Sequence, residues 1–294
     1  MVSVIIPAFN EAPSVRRTVE SLKSTLTERG IEFEIIVVDD ASSDTTADEA
    51  RATGAKVISH GSNNGYGQAI RTGIAASSYD HLAIMDADGT YPAEDLIKVF
   101  DKIGAYDMVV GARTGDAYTK GFFKYPARRA LISMCEFVTG TRIPDINSGL
   151  RVFRKAQVIP FMSQLSYGFS FTTSLTLCML LNGYFVGYVD IGYGQRHGLS
   201  HVHHYRDTLR TFQIVVEAFA RYNPLKLALV LILCLGIVTS VMSLALSLNI
   251  LGFQQWLLLY LFICTASILV GIGCLAVPSV RRADRLKPPA ELSS

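Results

Sequence analysis

Two stretches near the C-terminal end constrain this chain more than any other part of it. Leu225–Leu248 carries one charge, Lys226 at its edge, and Trp256–Val277 carries none. An apolar run of about 20 residues matches the hydrocarbon core of a bilayer when helical, because a helix satisfies its backbone N–H and C=O groups within one segment. The two runs read as a transmembrane hairpin over 225–277; a buried helical hairpin in a soluble protein is the alternative. Asn249–Gln255 between them is uncharged. Arg206, Arg210, Arg221 and Lys226 crowd the first run, and Arg281, Arg282, Arg285 and Lys287 follow the second. Basic residues stay on the cytoplasmic side, which predicts both termini in the cytoplasm and the short turn outside.

These runs also explain why 50% of the chain is apolar and its mean hydropathy is +0.31. Val2-Ser3-Val4-Ile5-Ile6-Pro7 is too short for a cleavable signal and lacks a basic leader. A net charge of +2 gives no general attraction for nucleic acid, which is not expected as a partner. The five cysteines show neither metal spacing nor a disulfide framework, as suits a reducing compartment.

The first part of the chain alternates strand and helix patterns. Val2–Ile6 is a short apolar run, and Pro13–Arg29 carries Val15, Val19, Leu22 and Leu26 at helical spacing. Phe33–Val38 is rich in β-branched residues and ends at Asp39-Asp40; Ser42-Ser43-Asp44-Thr45 can cap the next helix, which Gly54 closes. Lys56–Ser59, Gly67–Ala76 and Leu82–Met85 continue as strand, helix and strand. Repeated β-α-β steps predict an α/β fold, a mostly parallel sheet with helices on both faces, whose ligands meet the carboxyl ends of the strands.

Polar residues collect at those ends. Pro7, Asn10 and Glu11 follow the first strand, Asp39 and Asp40 the second, Asn63–Gly67 the third, and Asp86-Ala87-Asp88 the fourth. An isolated Asp-x-Asp is more often a turn than a metal site. Four polar loops on one rim are what a turn-only reading does not explain, and two acids there can hold a divalent cation against phosphates.

The successive segments Val4–Glu11, Val37–Asp44, Asn64–Gly67 and Met85–Gly89 resemble the ordered motifs of family 2 glycosyltransferases with the GT-A fold, a Rossmann-like architecture. The later part, to about Asn223, is similar to the branch that makes polyprenyl-phosphate sugars, typified by dolichyl-phosphate mannose synthase. This resemblance implies that Pro7, Phe9, Glu11, Gly65 and Asp39 or Asp40 meet the donor nucleotide. It also implies that Asp86, Ala87 and Asp88 meet its diphosphate, with Mg²⁺ or Mn²⁺ on Asp86 and Asp88. Thr90 stands where relatives often carry a further ligand, a glutamine.

Arg113 closes a fifth strand and, by the resemblance, reaches the phosphates. Tyr125–Arg129 opens a segment with Ala130, Leu131, Met134, Phe137 and Val138 on one side. It reads either as a core helix or as a headgroup-region helix that puts Arg128, Arg129 and Ser133 at the acceptor phosphate. Asp145 in Asp145–Arg151 resembles the family's acid beside the reacting centre. A phosphate acceptor is already anionic at neutral pH, so Asp145 reads either as an acid that orients the site, rather than an obligatory base, or as a helix-cap or turn acid. Gln195–His201 resembles a phosphate-covering element, with Arg196 in place and His201 where lysine is usual. No cysteine or acid lies at zinc-ligand spacing from His201, His203 and His204.

The expected organisation is a cytoplasmic catalytic domain over 1–205, an amphipathic interfacial helix over 206–224, two membrane helices over 225–277 and a basic tail over 278–294. That helix has Leu209, Phe212, Val216 and Phe219 on one face. The expected activity is inverting transfer of a hexose from a UDP- or GDP-sugar to a polyprenyl phosphate such as undecaprenyl or dolichyl phosphate, for glycosylation beyond the cytoplasm. The resemblance is compatible with homo-oligomers. Transfer to an alcohol lipid such as diacylglycerol, and a non-catalytic membrane scaffold, are the competing readings. A processive polysaccharide synthase is not expected: its Gln-x-x-Arg-Trp element is missing, since Trp256 is the one tryptophan.

Overall fold

The computed structural model of the chain describes residues 1–114, 124–194, 204–248 and 253–268, giving backbone alone for 124–127 and 204–208. It divides into two compact units, Met1–Thr211 and Phe212–Ser294.

The first unit is built on a seven-stranded sheet. In chain order it runs β1 (Val2–Ala8), α1 (Ala12–Glu28), β2 (Phe33–Asp39), α2 (Thr46–Ala52), β3 (Lys56–Ser59), α3 (Tyr66–Ala76), β4 (His81–Ile84), α4 (Ala93–Phe100) and β5 (Met108–Arg113). There follow α5 (Lys124–Thr139), β6 (Arg151–Arg154), the short α6 (Lys155–Val158) running into a 3₁₀ turn, α7 (Phe171–Leu181) and β7 (Val186–Ile191). The spatial order is β3-β2-β1-β4-β6-β5-β7. β1 pairs in parallel with β2 and β4, β2 with β3, and β5 with β7; β6 alone among them runs antiparallel, between β4 and β5.

Strand alternation divides the core into two layers. Val4 and Ile6 of β1, Val109 of β5 and Val152 of β6 pack with Val15, Val19, Leu22 and Leu26 of α1 and with Leu96 and Val99 of α4. Ile5, Leu82, Ile84, Met108, Val110 and Phe153 point the other way, onto Ile70 and Ile74 of α3 and Phe171, Leu175 and Met179 of α7. Both faces being covered, the central strands read as near-continuous apolar runs. The arrangement is the expected α/β fold of GT-A type.

In two helices burial divides the apolar positions. In α5 the buried positions are Ile132, Cys135 and Val138, while Ala130 and Phe137 are exposed, so the apolar side drawn through Ala130 and Phe137 does not face the core. The helix α8 (His204–Tyr222) buries Val215, Ala218, Phe219 and Ala220 and exposes Leu209 and Phe212. Phe219 therefore does not share an open face with Leu209.

In the second unit, α9 (Pro224–Ser247) contains an 18-residue window of mean hydropathy 2.7, buries Met242 alone among its residues, and is long and apolar enough to cross a membrane. The described part of the second run forms α10 (Phe253–Ile268), a shorter apolar helix. Residues 249–252, the rest of the second run and the basic tail lie outside the described residues.

Candidate active site

The loops after β1, β2, β3 and β4 meet at one end of the sheet, as parallel pairing requires. The first two are laced together. The Asn10 N–H donates to Ser42 Oγ at 2.9 Å, the Asn10 side-chain oxygen accepts the Ser43 N–H at 2.8 Å, and the Glu11 N–H donates to Thr46 Oγ1 at 2.8 Å. Asn10 (φ 55) and Ala41 (φ 62) both adopt the left-handed backbone region. That is tolerable for asparagine and costs about 1–2 kcal/mol for alanine, so the crossing bonds hold a strained rim. Pro7 is buried in β1, Phe9 is half-buried beside it, and Glu11 is buried. Of the predicted capping segment 42–45, Asp44 Oδ1 accepts the Thr46 N–H at 2.9 Å, while Thr45, the residue next to the helix, makes no side-chain cap.

The adjacent acids Asp39 and Asp40 are both buried, but they are engaged differently. Asp40 accepts the N–H of Asn64 at 2.9 Å and of Gly65 at 2.7 Å, and its Oδ1 lies 2.7 Å from His60 Nδ1. His60 Nε2 in turn lies 2.9 Å from Thr72 Oγ1. Asp40 thus fixes the turn entering α3, where Gly65 (φ +95) holds a conformation that side chains disfavour. Asp39 accepts one backbone N–H, from Ser42 at 3.2 Å, and is the less committed of the two.

Asp86 and Asp88 stand just beyond β4, with the Ala87 side chain turned into the core between them. Asp86 Oδ1 accepts the Tyr66 hydroxyl at 2.8 Å. Burial first, and then the Asp86 charge, push the Tyr66 phenol well above its ordinary pKa, so it remains a donor. Asp88 Oδ1 accepts the Thr90 hydroxyl at 2.7 Å and the Thr90 N–H at 3.1 Å. Thr90 is almost fully buried and its hydroxyl is spent on orienting Asp88. Among the described residues no three His, Cys, Asp or Glu side chains cluster as a metal cage. Two hard carboxylates, each steered by a hydroxyl, suit a Mg²⁺ or Mn²⁺ ion that takes its remaining ligands from phosphate and water.

The 145–151 segment closes the same end. Asp145, 1% exposed, accepts Arg113 Nε at 2.7 Å and Nη2 at 3.0 Å, and also the Asn147 N–H at 3.1 Å. Burial opposes the Arg113 charge, yet Tyr91 and Asp145 outweigh it and hold the guanidinium pKa above its usual value. Arg113 also lies over the Tyr193 ring, 5.2 Å from its centroid. Gly149 donates its N–H to the Tyr91 hydroxyl at 2.9 Å and lies flat on Asp86: a Cβ there would sit 2.4 Å from Asp86 Oδ2. Arg151, fully buried, donates to the carbonyls of Ile146, Ser148 and Thr172 and to Thr176 Oγ1. Sequence reading assigned no role to Tyr66, Tyr91, Gly149 or Arg151; all but Tyr91 fall within the quoted motifs.

Of the expected acceptor residues, Arg128 is half-buried on α5 and Arg129 and Ser133 are exposed. Arg196 and His201 lie outside the described residues.

Residues 3–163 match the profile of glycosyl transferase family 2. The chain belongs to this family. Among similar curated proteins, the undecaprenyl-phosphate 4-deoxy-4-formamido-L-arabinose transferase of Pseudomonas aeruginosa is 29% identical over 164 residues, 54% of this chain and 48% of that protein. The transferase of the same name from Enterobacter sp. is 30% identical over 161 residues, 52% and 49% of the two chains. The chain thus spans about half the length of the curated relatives it matches. Among solved structures, glucosyl-3-phosphoglycerate synthase from Mycobacterium tuberculosis in complex with UDP has a TM-score of 0.61 at 18% identity, over 74% of this chain and 79% of that one. The same synthase with Mn²⁺, UDP-glucose and phosphoglyceric acid gives 0.57 at 20% identity, over 75% and 79%. At such identities the likeness shows the fold alone.

Proposed function

We propose that this chain transfers a sugar from a nucleotide sugar to a polyprenyl phosphate at a membrane, with inversion at the anomeric carbon. The observation that carries this reading is the occupation of Asp145. A buried carboxylate forked onto a guanidinium is poorly placed to take a proton, so the site suits a nucleophile that arrives deprotonated. A phosphate monoester does; an alcohol does not. The undecaprenyl-phosphate transferases among the relatives support the same acceptor class.

In this reading Pro7, Phe9, Glu11, Gly65 and Asp39 line the nucleotide end, and Asp40 shapes it through the turn before α3. Asp86 and Asp88 hold the Mg²⁺ or Mn²⁺. The ion, when bound, offsets the charge that develops on the departing nucleoside diphosphate. Asp145 and Arg113 fix the floor beside the sugar, with Arg113 offering a positive edge to phosphate oxygens. Arg128, Arg129 and Ser133 on α5, and Arg196 and His201, are proposed phosphate contacts. One displacement by the acceptor oxygen on the face opposite the leaving group inverts the centre. The sugar, read above as a hexose, and the base, uracil or guanine, are for the test to decide. Helices α9 and α10 belong, in this reading, to the membrane hairpin, with the catalytic domain and both termini cytoplasmic.

The test offers the purified full chain in detergent a panel of UDP- and GDP-sugars with Mn²⁺ and either undecaprenyl phosphate or diacylglycerol, and weighs the lipid product by mass spectrometry. A polyprenyl-phosphate sugar made with one donor, and lost in Asp88→Ala by at least about a thousandfold, is expected. Product formed on diacylglycerol instead, with Asp145→Asn abolishing it, would favour the alcohol-lipid reading. A chain that binds no nucleotide sugar would favour the scaffold.

A further inference from the structure

Tyr66 is the first residue of α3, and its backbone is held from three directions. Asp40 binds the two preceding N–H groups, those of Asn64 and Gly65. The Gln68 N–H donates to the Tyr167 carbonyl at 2.9 Å. Gly67 lies so close to the 166–167 backbone that a Cβ would meet the Ser166 carbonyl oxygen at 2.3 Å. The ring is then covered by Phe169, stacked 5.6 Å away at an interplanar angle of 11°. With main chain and ring both seated, the hydroxyl reaches Asp86 Oδ1 at 2.8 Å, while Gly149 closes the other side of that carboxylate.

Phenylalanine would fill the same space and stack on the same partner, so packing alone does not call for a hydroxyl here. What the hydroxyl adds is a donor that fixes the rotation of an acid at the catalytic rim. We propose that Tyr66 is a positioning residue for the divalent cation site, holding the Asp86 carboxylate in its metal-binding orientation through Phe169 and the first turn of α3. This rests on the metal reading of Asp86 and Asp88. It also links the two ends of the donor site: Asp40, which shapes the nucleotide end, and Asp86, which serves the diphosphate, are joined by the backbone from Asn64 to Tyr66. Partners that orient a ligating group without touching the metal typically change its affinity by about 10- to 100-fold.

The experiment measures Mn²⁺ affinity of the full chain in detergent from the loss of the free-ion electron paramagnetic resonance signal. UDP or GDP is added at saturation, with thermal melting as the check on folding. Tyr66→Phe is expected to melt like the wild type and to weaken Mn²⁺ about tenfold. Phe169→Leu, which keeps the hydroxyl and removes the ring behind it, is expected to weaken Mn²⁺ by a smaller factor, and it carries the test if Tyr66→Phe does not fold. Wild-type Mn²⁺ affinity in Tyr66→Phe, or an equal loss of nucleotide binding without Mn²⁺, overturns the inference while leaving the metal reading in place. A wild type that takes up no Mn²⁺ overturns both.

Discussion

Gly149 and Asp86 show how little room the chemistry leaves at single positions. A methyl group at Gly149 would overlap the Asp86 carboxylate, with contacts of 2.4 Å to Oδ2 and 2.6 Å to Oδ1. Gly149→Ala must therefore swing Asp86 away. Since displacement of a catalytic group by about 1 Å can cost about 100-fold in rate, the variant is expected to lose at least that in kcat/KM and yet melt cooperatively. The Arg113–Asp145 pair permits a sharper test. Arg113→Met strands a buried carboxylate and should cost about 3–5 kcal/mol in denaturant unfolding. Adding Asp145→Leu should recover most of that stability while activity stays lost, which separates folding from function. Aspartates 86 and 88 were visible as an acidic pair at a strand end. That Asp40, unlike Asp39, spends its carboxylate on Asn64, Gly65 and His60 was not, because the two are neighbours in sequence and differ only in what the fold brings to them.

Among elements, β1, α1, β2, β3 and α3 were legible because each carries its own periodicity, alternating or helical, within a few residues. Strand β6 was not. Its four residues, Arg151–Arg154, hold one apolar pair, and nothing local says that they run antiparallel between β4 and β5. Its first residue explains its placement: Arg151 must find acceptors for a buried guanidinium, and the carbonyls of Ile146, Ser148 and Thr172 supply them. Burial draws its pKa below the ordinary arginine value, and its hydrogen-bond partners are neutral. Arg151→Met leaves those carbonyls without donors and should cost about 2–4 kcal/mol in unfolding free energy, with a larger loss of activity than Arg151→Lys. The same limit explains α5 and α8. Helical spacing showed that each is amphipathic, but which stripe is buried depends on neighbours that periodicity does not name.

At the scale of the whole molecule, the two units divide the labour that the sequence composition divides. Met1–Thr211 holds the sheet and the acidic rim, and Phe212–Ser294 holds the long apolar helix. If α9 crosses a bilayer, a charge at its middle is penalised by about 2.5–3.5 kcal/mol, so Leu233→Lys, at a position 64% exposed, is expected to reduce the membrane-pelleted fraction without changing the fold of the first unit. Chelation with EDTA is expected to abolish transfer and to leave melting of the first unit unchanged, since the sheet and its two core layers do not depend on the acidic rim. The sequence by itself determined the apolar runs, the strand and helix alternation and the acids at the strand ends, because these are patterns of near neighbours along the chain. Only the tertiary structure decided that Asp40 is the acid committed to holding loops and that the Tyr66 hydroxyl steers Asp86. It also decided that Asp145 is tied to Arg113, since those partners are between 20 and 32 residues apart and meet only when the sheet has formed.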